Sequence, residues 1–198
     1  LAITDHGNMF GAIKFYKIAQ QYGIKPIIGC EVYVAPESRH QKSSAQGMAD
    51  ASYHLILLAA NMEGYKNLIK LVSIGYLEGF YYRPRIDKEV LAQYAHGLIA
   101  LSSCLKGEIP ILLAHGQEKR ALEVAATFKD IMGEKGFYLE IMDQGLEGQA
   151  KVNQGVIGLS KELAIPLVAT NDCHYLDRAD AQAHDILLCI QTGKALED

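Results

Sequence analysis

Carboxylate and imidazole side chains follow two apolar runs at opposite ends of this sequence. Asp172 and His174 come after the apolar run 166–170, and Asp5 and His6 come after an equivalent run at the start of the chain. In α/β proteins, ligands and catalytic groups collect where strands end and helices begin. Because carboxylates and imidazoles bind divalent metals, the sequence predicts one metal site assembled from distant segments.

Four further candidates lie in or beside apolar runs: Glu31, His54, Cys104 and Glu140. Glu31 needs a compensating partner, because an unpaired carboxylate in an apolar setting is costly. Each of the other three also has a structural interpretation. His54 could cap a strand, Cys104 could be a small buried hydrophobic residue, and Glu140 could face solvent on an edge strand.

The first pair has structural alternatives as well, since Asp5 could cap a helix and His6 could bond a backbone carbonyl at a turn. If the candidates converge, their mixed nitrogen, oxygen and sulfur donors suit zinc, manganese or iron better than magnesium or calcium. Convergence depends on which elements carry them.

The composition is that of a soluble single domain. The 198 residues are 49% hydrophobic and 21% charged, with a formal net charge of −4. This charge argues against an autonomous nucleic-acid-binding protein, so DNA would have to be held by metal ions, a few local cations or a neighbouring domain. The four cysteines form no CxxC pair, which is typical of a reducing cytosol. No apolar run reaches the roughly 18 residues of a membrane span.

The chain opens within a strand-like run and without Met, so we expect it to be a piece of a longer protein. Strand-like runs alternate with helical periodicity along most of it. The six predicted strands are 1–4, 25–34, 54–60, 97–103, 137–142 and 166–170. The predicted helices are 8–22, 62–79, a short one capped by Asp87, 108–115, 117–132, 147–164 and one after residue 174.

This alternation predicts an α/β fold with a largely parallel sheet, as either a doubly wound sheet or a barrel. The strands are continuous apolar runs, as expected when both faces of a sheet are covered. Residues 36–52 are polar, and we expect them to form an exposed and disordered loop. The sequence contains no GxGxxG, P-loop or GxSxG motif, which argues against dinucleotide-binding, P-loop and α/β-hydrolase proteins.

Several long blocks resemble a known family. LAITDHGNMFGAIKFYKIAQQYGIKPIIGCEVYVAP, YHLILLAAN, GFYYRPRID, GLIALSSCLKGEIP, FYLEI and ATNDCHYLDRADAQAHDILLCIQTGK closely resemble the PHP (polymerase and histidinol phosphatase) domain of the bacterial replicative DNA polymerase III alpha subunit. The resemblance covers essentially the whole chain. It implies a distorted seven-stranded β/α barrel of TIM-like type, with residues 1–198 forming a partial domain whose first strand, carrying a His-x-His motif, lies before residue 1.

The resemblance also implies which residues act. The expected metal ligands are those at the matching motif positions: His6, Glu31, His54, Cys104, Asp172 and His174. Asp5 is expected to support His6 from behind the ligand shell and fix its tautomer. His54 begins its predicted strand, whereas the other ligands follow theirs, so a hairpin-like return after EVYV or a later strand start is required.

The implied activity is that of a metal-dependent phosphoesterase with 3′–5′ exonuclease activity, using two or three divalent metals, with zinc or manganese favoured over magnesium. No catalytic residue separate from the metal ligands is expected. Arg83, Arg85 and Lys106 lie in connectors beside strand ends and are candidates for phosphate binding, with ordinary surface charge as the alternative. Without the His-x-His strand, the piece itself is expected to be inactive.

The implied setting is cytoplasmic DNA replication. The expected partners are the DNA primer end, the polymerase core domains of the same chain and other replisome subunits, with no membrane involved. Two alternatives stay open: a catalytically silent module that stabilises the polymerase core, and a stand-alone PHP phosphatase, which the polymerase-type blocks disfavour.

Overall fold

The computed structural model describes residues 1–42 and 52–197, in which seven strands form one curled sheet accompanied by seven α-helices. The strands are β1 (Ala2–Ile3), β2 (Ile27–Val34), β3 (Tyr53–Ala59), β4 (Arg85–Ile86), β5 (Leu98–Leu101), β6 (Phe137–Ile141) and β7 (Leu167–Ala169). The helices are α1 (Ala12–Gln21), α2 (Met62–Leu77), α3 (Lys88–Gln93), α4 (Glu108–Ala114), α5 (Glu118–Met132), α6 (Gln149–Leu163) and α7 (Ala181–Thr192), with a 3₁₀ turn at Arg178–Asp180.

The sheet order is β1-β2-β3-β5-β6-β7, and β4 pairs with β2 to the side. The order of these strands in the sheet therefore follows their order in the chain and does not reverse as it does in a doubly wound sheet. Of the two predicted architectures, this order indicates the barrel. Within the described residues the sheet is open between β1 and β7. The structure confirms the expected α/β class and a TIM-like barrel that lacks a strand.

The prediction of a largely parallel sheet needs a correction at β3. Four pairings are parallel, but β3 is antiparallel to both β2 and β5. Parallel strands require a crossover, usually a helix, whereas the described part of the β2–β3 connection forms no helix. The chain therefore returns as a hairpin. A hairpin-like return after EVYV was one of two alternatives, either of which would allow His54 to be a ligand.

The six predicted strands are all observed, although most are shorter than expected. The additional strand β4 lies in a stretch that the sequence predicted to be a connector. The first helix begins later than predicted, because Gly7 has φ +65° and Asn8 Oδ1 accepts a hydrogen bond from the Phe10 amide at 3.0 Å, which forms a turn instead. The predicted cap of the short helix is confirmed, since Asp87 accepts a hydrogen bond from the Val90 amide at 3.0 Å.

One continuous core packs the central strands against α2, α4, α5 and α6. Leu57, Ala100 and Leu139 of the sheet are fully buried in it. The prediction that both faces of the sheet are covered therefore holds for the central strands. It does not hold at the sheet edge, where Leu167 of β7 is 37% exposed and α7 has no buried residue.

The loop predicted at 36–52 is only partly visible, because residues 43–51 lie outside the described residues. In the described part, Arg39 binds the buried Asp87 carboxylate at 3.1 Å and the Glu78 carboxylate at 2.8 Å. Arg85 donates to the carbonyls of Arg39 and Gln41. The beginning of this loop is therefore fixed to α2, α3 and β4.

The longest described helix, α2, has 16 residues. No helix in residues 1–42 and 52–197 is long and apolar enough to cross a membrane.

Candidate metal centre

The six residues predicted as metal ligands lie at one end of the curled sheet: His6, Glu31, His54, Cys104, Asp172 and His174. Cys104 follows β5, and Asp172 follows β7. His6 follows β1 and forms an isolated bridge with Glu31 on β2. His54 is the second residue of β3, and because β3 is antiparallel to β2, the start of β3 lies at the end of the sheet where the parallel strands finish.

Glu31 is the centre of this group. Its side chain is 3% exposed, and its Oε1 lies 2.5 Å from Nδ1 of His6 and 2.6 Å from Nδ1 of His54. Its Oε2 accepts a hydrogen bond from the Ser103 hydroxyl at 3.3 Å. Two imidazoles from different strands thus converge on one buried carboxylate oxygen.

The charges of this group reinforce one another. Burial opposes ionisation of Glu31, but the imidazoles of His54 and His6 outweigh that effect and hold its pKa at about 2. The Glu31 carboxylate in turn raises the pKa of His6, against the opposing effect of partial burial. Glu31 is therefore ionised at neutral pH, and it favours a positive group beside it.

A second group shares Glu31. Ligand atoms of Glu31, Cys104 and Asp172 lie within 4.8 Å of one another, as do those of His6, Glu31 and His54. The Cys104 sulfur lies 4.0 Å from Nδ1 of His54 and so joins the two groups. Burial raises the pKa of the Cys104 thiol, which means that a metal bound here has to displace a proton from it.

His174 lies at the rim of the cluster. Its ring centre is 5.5 Å from that of His6, and its Nδ1 bonds the backbone carbonyl of Asp172 at 2.8 Å. A bond of this kind makes Nδ1 the donor and leaves Nε2 with a lone pair, as in many metal-binding histidines. Asp172 itself has φ +48°, an uncommon value for a residue other than glycine.

The arrangement fits a divalent metal on two observations. Oε1 of Glu31 is buried, and neither nearby imidazole N–H meets the geometry of a hydrogen bond with it. Buried carboxylate oxygens normally have such a partner, and a cation between the three atoms would supply one. The donor set of imidazole, carboxylate and thiol is the one that zinc and similar metals use.

Asp5 was predicted to support His6 from behind the ligand shell, and its contacts in the structure are mainly to other residues. Its backbone carbonyl accepts hydrogen bonds from the Glu31 amide at 3.0 Å and the Cys30 thiol at 3.3 Å. Its carboxylate lies beside Gly11. Among the described residues, the carboxylate that reaches the His6 ring is that of Glu31.

The three predicted phosphate-binding residues, Arg83, Lys106 and Arg85, lie in different surroundings. Nη1 of Arg83 donates to the Tyr33 hydroxyl at 2.9 Å, and the Tyr33 ring lies 5.2 Å from that of His54. Lys106 is exposed, and its charge lowers the pKa of His6, so it lies beside the cluster. Arg85 is 5% exposed, and it donates to the carbonyl of Gly79 and to two loop carbonyls. Arg83 and Lys106 therefore lie near the cluster, whereas Arg85 contacts backbone carbonyls of Gly79 and the loop.

The cluster has further neighbours, of which the sequence singled out only Glu140, with a solvent-facing position on an edge strand as its alternative. Glu140 is 6% exposed and bonds Ser103 and Thr170. Burial raises its pKa. Tyr33 could have been found, because alternation along β2 places it on the same face as Glu31. The ring of His184 on α7 lies 5.6 Å from that of His174, and a single histidine in a helical run gives no comparable signal.

Comparisons with known proteins show which proteins the chain resembles. The PHP domain family matches residues 1–144. The chain is 51% identical over its full length to the DNA polymerase III subunit alpha of Treponema pallidum, of which it covers 17%. It is 52% identical to that of Borreliella burgdorferi, again covering 17%, and 48% identical to that of Thermus aquaticus, covering 16%. The chain therefore spans about a sixth of the length of these relatives.

Proposed function

The chain belongs to the PHP domain family, and from this premise we propose that it is a metal-dependent phosphoesterase domain with 3′–5′ exonuclease activity. The observation that carries the proposal is the buried Glu31 carboxylate, with two imidazole nitrogens within 2.6 Å of one oxygen and with Cys104 and Asp172 beside it. A site of mixed donors at the strand ends of a barrel is where such chemistry is carried out.

We further propose that residues 1–198 form the PHP domain of a DNA polymerase III alpha subunit. The support is the identity of about half to relatives of that name over the full length of this chain. In that setting the partners are the DNA primer end, the polymerase core domains of the same chain and other replisome subunits, in the cytoplasm. The full-length protein would be a DNA-directed DNA polymerase, with polymerisation carried by regions beyond this domain.

In this mechanism the chain's own residues hold the metal ions and orient the substrate. His6, His54 and Glu31 form one half of the site, and Cys104 and Asp172 form the other around the shared Glu31 carboxylate. Two or three divalent ions, with zinc or manganese favoured over magnesium, would supply a water of lowered pKa and neutralise charge on the scissile phosphate.

Substrate binding falls to the cations beside the cluster. We propose that Arg83, which donates to the Tyr33 hydroxyl, and the exposed Lys106 contact phosphate oxygens. The formal net charge of −4 gives no general attraction for DNA, so the polymerase core has to deliver the primer end to the site.

The proposal is tested by metal content and nuclease activity of the full-length protein with and without Asp172→Ala. We expect the parent to carry metal in stoichiometric amounts and to shorten a primer from its 3′ end. Loss of a ligand of a catalytic metal should reduce the rate by at least about 100-fold, which is about 2.7 kcal/mol of transition-state stabilisation.

Asp130→Ala is the matched control, because it removes an exposed carboxylate of α5 outside the cluster. A parent without metal, or an Asp172→Ala variant as fast as the parent, would contradict the catalytic proposal. An exonuclease that is insensitive to chelators would point to a separate proofreading protein.

A second candidate function is a silent structural module, and the exposed apolar helices favour it. Phe10, beside α1, is 87% exposed, and Leu187 and Ile190 of α7 are 63% and 75% exposed. Such surfaces commonly pack against another domain. Under this alternative, Asp172→Ala leaves the exonuclease rate unchanged, whereas charges introduced on α7 destabilise the polymerase.

A further inference from the structure

Glu140 joins the two loops that carry Cys104 and Asp172. It lies on β6, is 6% exposed, and has a partner on each carboxylate oxygen. Oε2 accepts a hydrogen bond from the Ser103 amide at 2.5 Å, and Oε1 accepts one from the Thr170 hydroxyl at 2.9 Å. One side chain thus links the end of β5 to the end of β7.

Both loops contain backbone conformations that need support. Ser103, directly before Cys104, has φ +68°, and Asp172 has φ +48°. Such left-handed conformations are unfavourable for residues other than glycine and persist only where surrounding contacts fix them. The bond from Glu140 to the Ser103 amide is one such contact. The bond to Thr170 fixes the chain two residues before Asp172.

The same network reaches Glu31. The Ser103 hydroxyl donates to Oε2 of Glu31 at 3.3 Å, on the side of the carboxylate away from the two imidazoles. The Glu140 amide donates to the Ser102 hydroxyl at 2.8 Å, which ties this β5 end to β6 a second time. Three of the predicted ligands are therefore connected to Glu140 through one or two residues.

We propose that Glu140 is a positioning residue that sets the distance between the Cys104 and Asp172 ligands by holding both loops through hydrogen bonds. The inference rests on the proposed metal-dependent function. Glu140 is not itself placed as a ligand, because each of its oxygens already accepts a protein hydrogen bond. Its role is exerted through Ser103 and Thr170.

The test compares metal binding by full-length variants that differ at Glu140. Glu140→Ala removes both hydrogen bonds, and loss of such an outer partner typically weakens metal binding 10–100-fold. Glu140→Gln retains both, because its amide oxygen can accept from Ser103 and its amide nitrogen can donate to Thr170. We measure the Zn²⁺ affinity by competition with a chromophoric chelator and the thiolate-to-metal absorption of the Co²⁺ form.

We expect Glu140→Ala to lose tenfold or more in Zn²⁺ affinity and to weaken the Co²⁺–thiolate band, with Glu140→Gln within about threefold of the parent. Asp87→Ala is the control, because Asp87 is equally buried and holds Arg39 and α3 instead of the ligand loops. It should lower the melting temperature and leave the affinity unchanged, which separates positioning from general stability.

Several results would overturn the inference. A folded Glu140→Ala variant with the parent's affinity and spectrum contradicts it while leaving the proposed function intact. A glutamine variant as weak as the alanine variant contradicts positioning by hydrogen bonds. If the alanine variant does not fold, Thr170→Val, which removes one hydroxyl at nearly constant volume, decides by the same affinity measurement. A parent that binds no Zn²⁺ or Co²⁺ removes the proposed function and this inference together.

Discussion

At the scale of single residues, the site depends on one buried acid. Glu31 is 2% exposed, and an unpaired carboxylate at such a position would carry a desolvation cost of several kcal/mol. His6 and His54 offset that cost and hold the pKa of Glu31 at about 2. Removing the imidazoles therefore leaves the Glu31 carboxylate buried without its counter-charge.

Glu31→Gln should destabilise the metal-free protein most between about pH 4.5 and 6.5. The pKa of Glu31 is lowered from 4.5 to about 2, so its stabilisation is complete above pH 4.5 and is lost as the pH falls towards 2. The pKa of His6 is raised from 6.5, so its stabilisation is complete below pH 6.5 and is lost as the pH rises through the raised value. The measurement is the melting temperature of parent and variant across pH in the presence of chelator.

The NMR titration of the imidazoles gives an independent check. Without the Glu31 charge, His6 should titrate at lower pH than in the parent. His115 bonds a carbonyl of α4 outside the cluster, and its resonances serve as the internal reference. If the destabilisation caused by Glu31→Gln does not vary with pH in the melting-temperature series, the ion pair between Glu31 and His6 does not form.

At the scale of elements, the position of His54 depends on the antiparallel direction of β3. The position of α2 depends on its close contact with the turn before β5. Because β3 is antiparallel to β2, His54 pairs with Tyr33, two residues beyond Glu31. The first turn of α2 packs directly on the turn before β5, where a Cβ on Gly64 would lie 1.7 Å from the Gly97 carbonyl oxygen. This contact admits only glycine.

Two glycine-to-alanine substitutions should have opposite signs. Gly64→Ala should destabilise the fold by about 3 kcal/mol or more, because its methyl group overlaps backbone that has no room to move. Gly158→Ala lies within α6 with no atom within 4 Å of the new methyl group, so it should stabilise by about 0.5–1 kcal/mol.

Chemical denaturation of both variants under one set of conditions measures the difference. Equal effects of the two substitutions would mean that α2 does not lie this close to the β5 turn. A stabilising Gly64→Ala would exclude the contact altogether.

At the scale of the whole molecule, the candidate ligands lie on β2 and β3 and after β1, β5 and β7, so the site spans the open sheet from one edge to the other. A metal bound there would connect segments that are distant in sequence. Ligands that bind only the folded state add their binding free energy to its stability.

Removal of metal should therefore lower the stability of the entire domain. With free Zn²⁺ at about 1,000 times its dissociation constant, linkage predicts about 4 kcal/mol of added stability, which a strong chelator should abolish. The measurement is thermal unfolding with Zn²⁺ and with chelator. The same comparison in Asp172→Ala should show a much smaller difference, and an equal one would place the stabilising metal elsewhere.

The sequence by itself determined the positions of most elements and the types of residue at their ends. All six predicted strands are present, because long apolar runs are a local property that survives in the fold. The motifs around His6, Glu31, Cys104 and Asp172 contain residues that the structure places in two groups sharing Glu31, with the ligand atoms of each group within 4.8 Å of one another. The PHP resemblance agrees with the family match.

Only the tertiary structure decided strand direction and side-chain environment. Several features depend on which backbone segments pair. They are the antiparallel direction of β3, the presence of the short strand β4, the burial of Glu140 and the different partners of Arg83 and Arg85. Local periodicity describes a residue's own neighbours in the chain. Pairing register between distant strands determines which of its faces meets the core, the loop or the candidate metal centre.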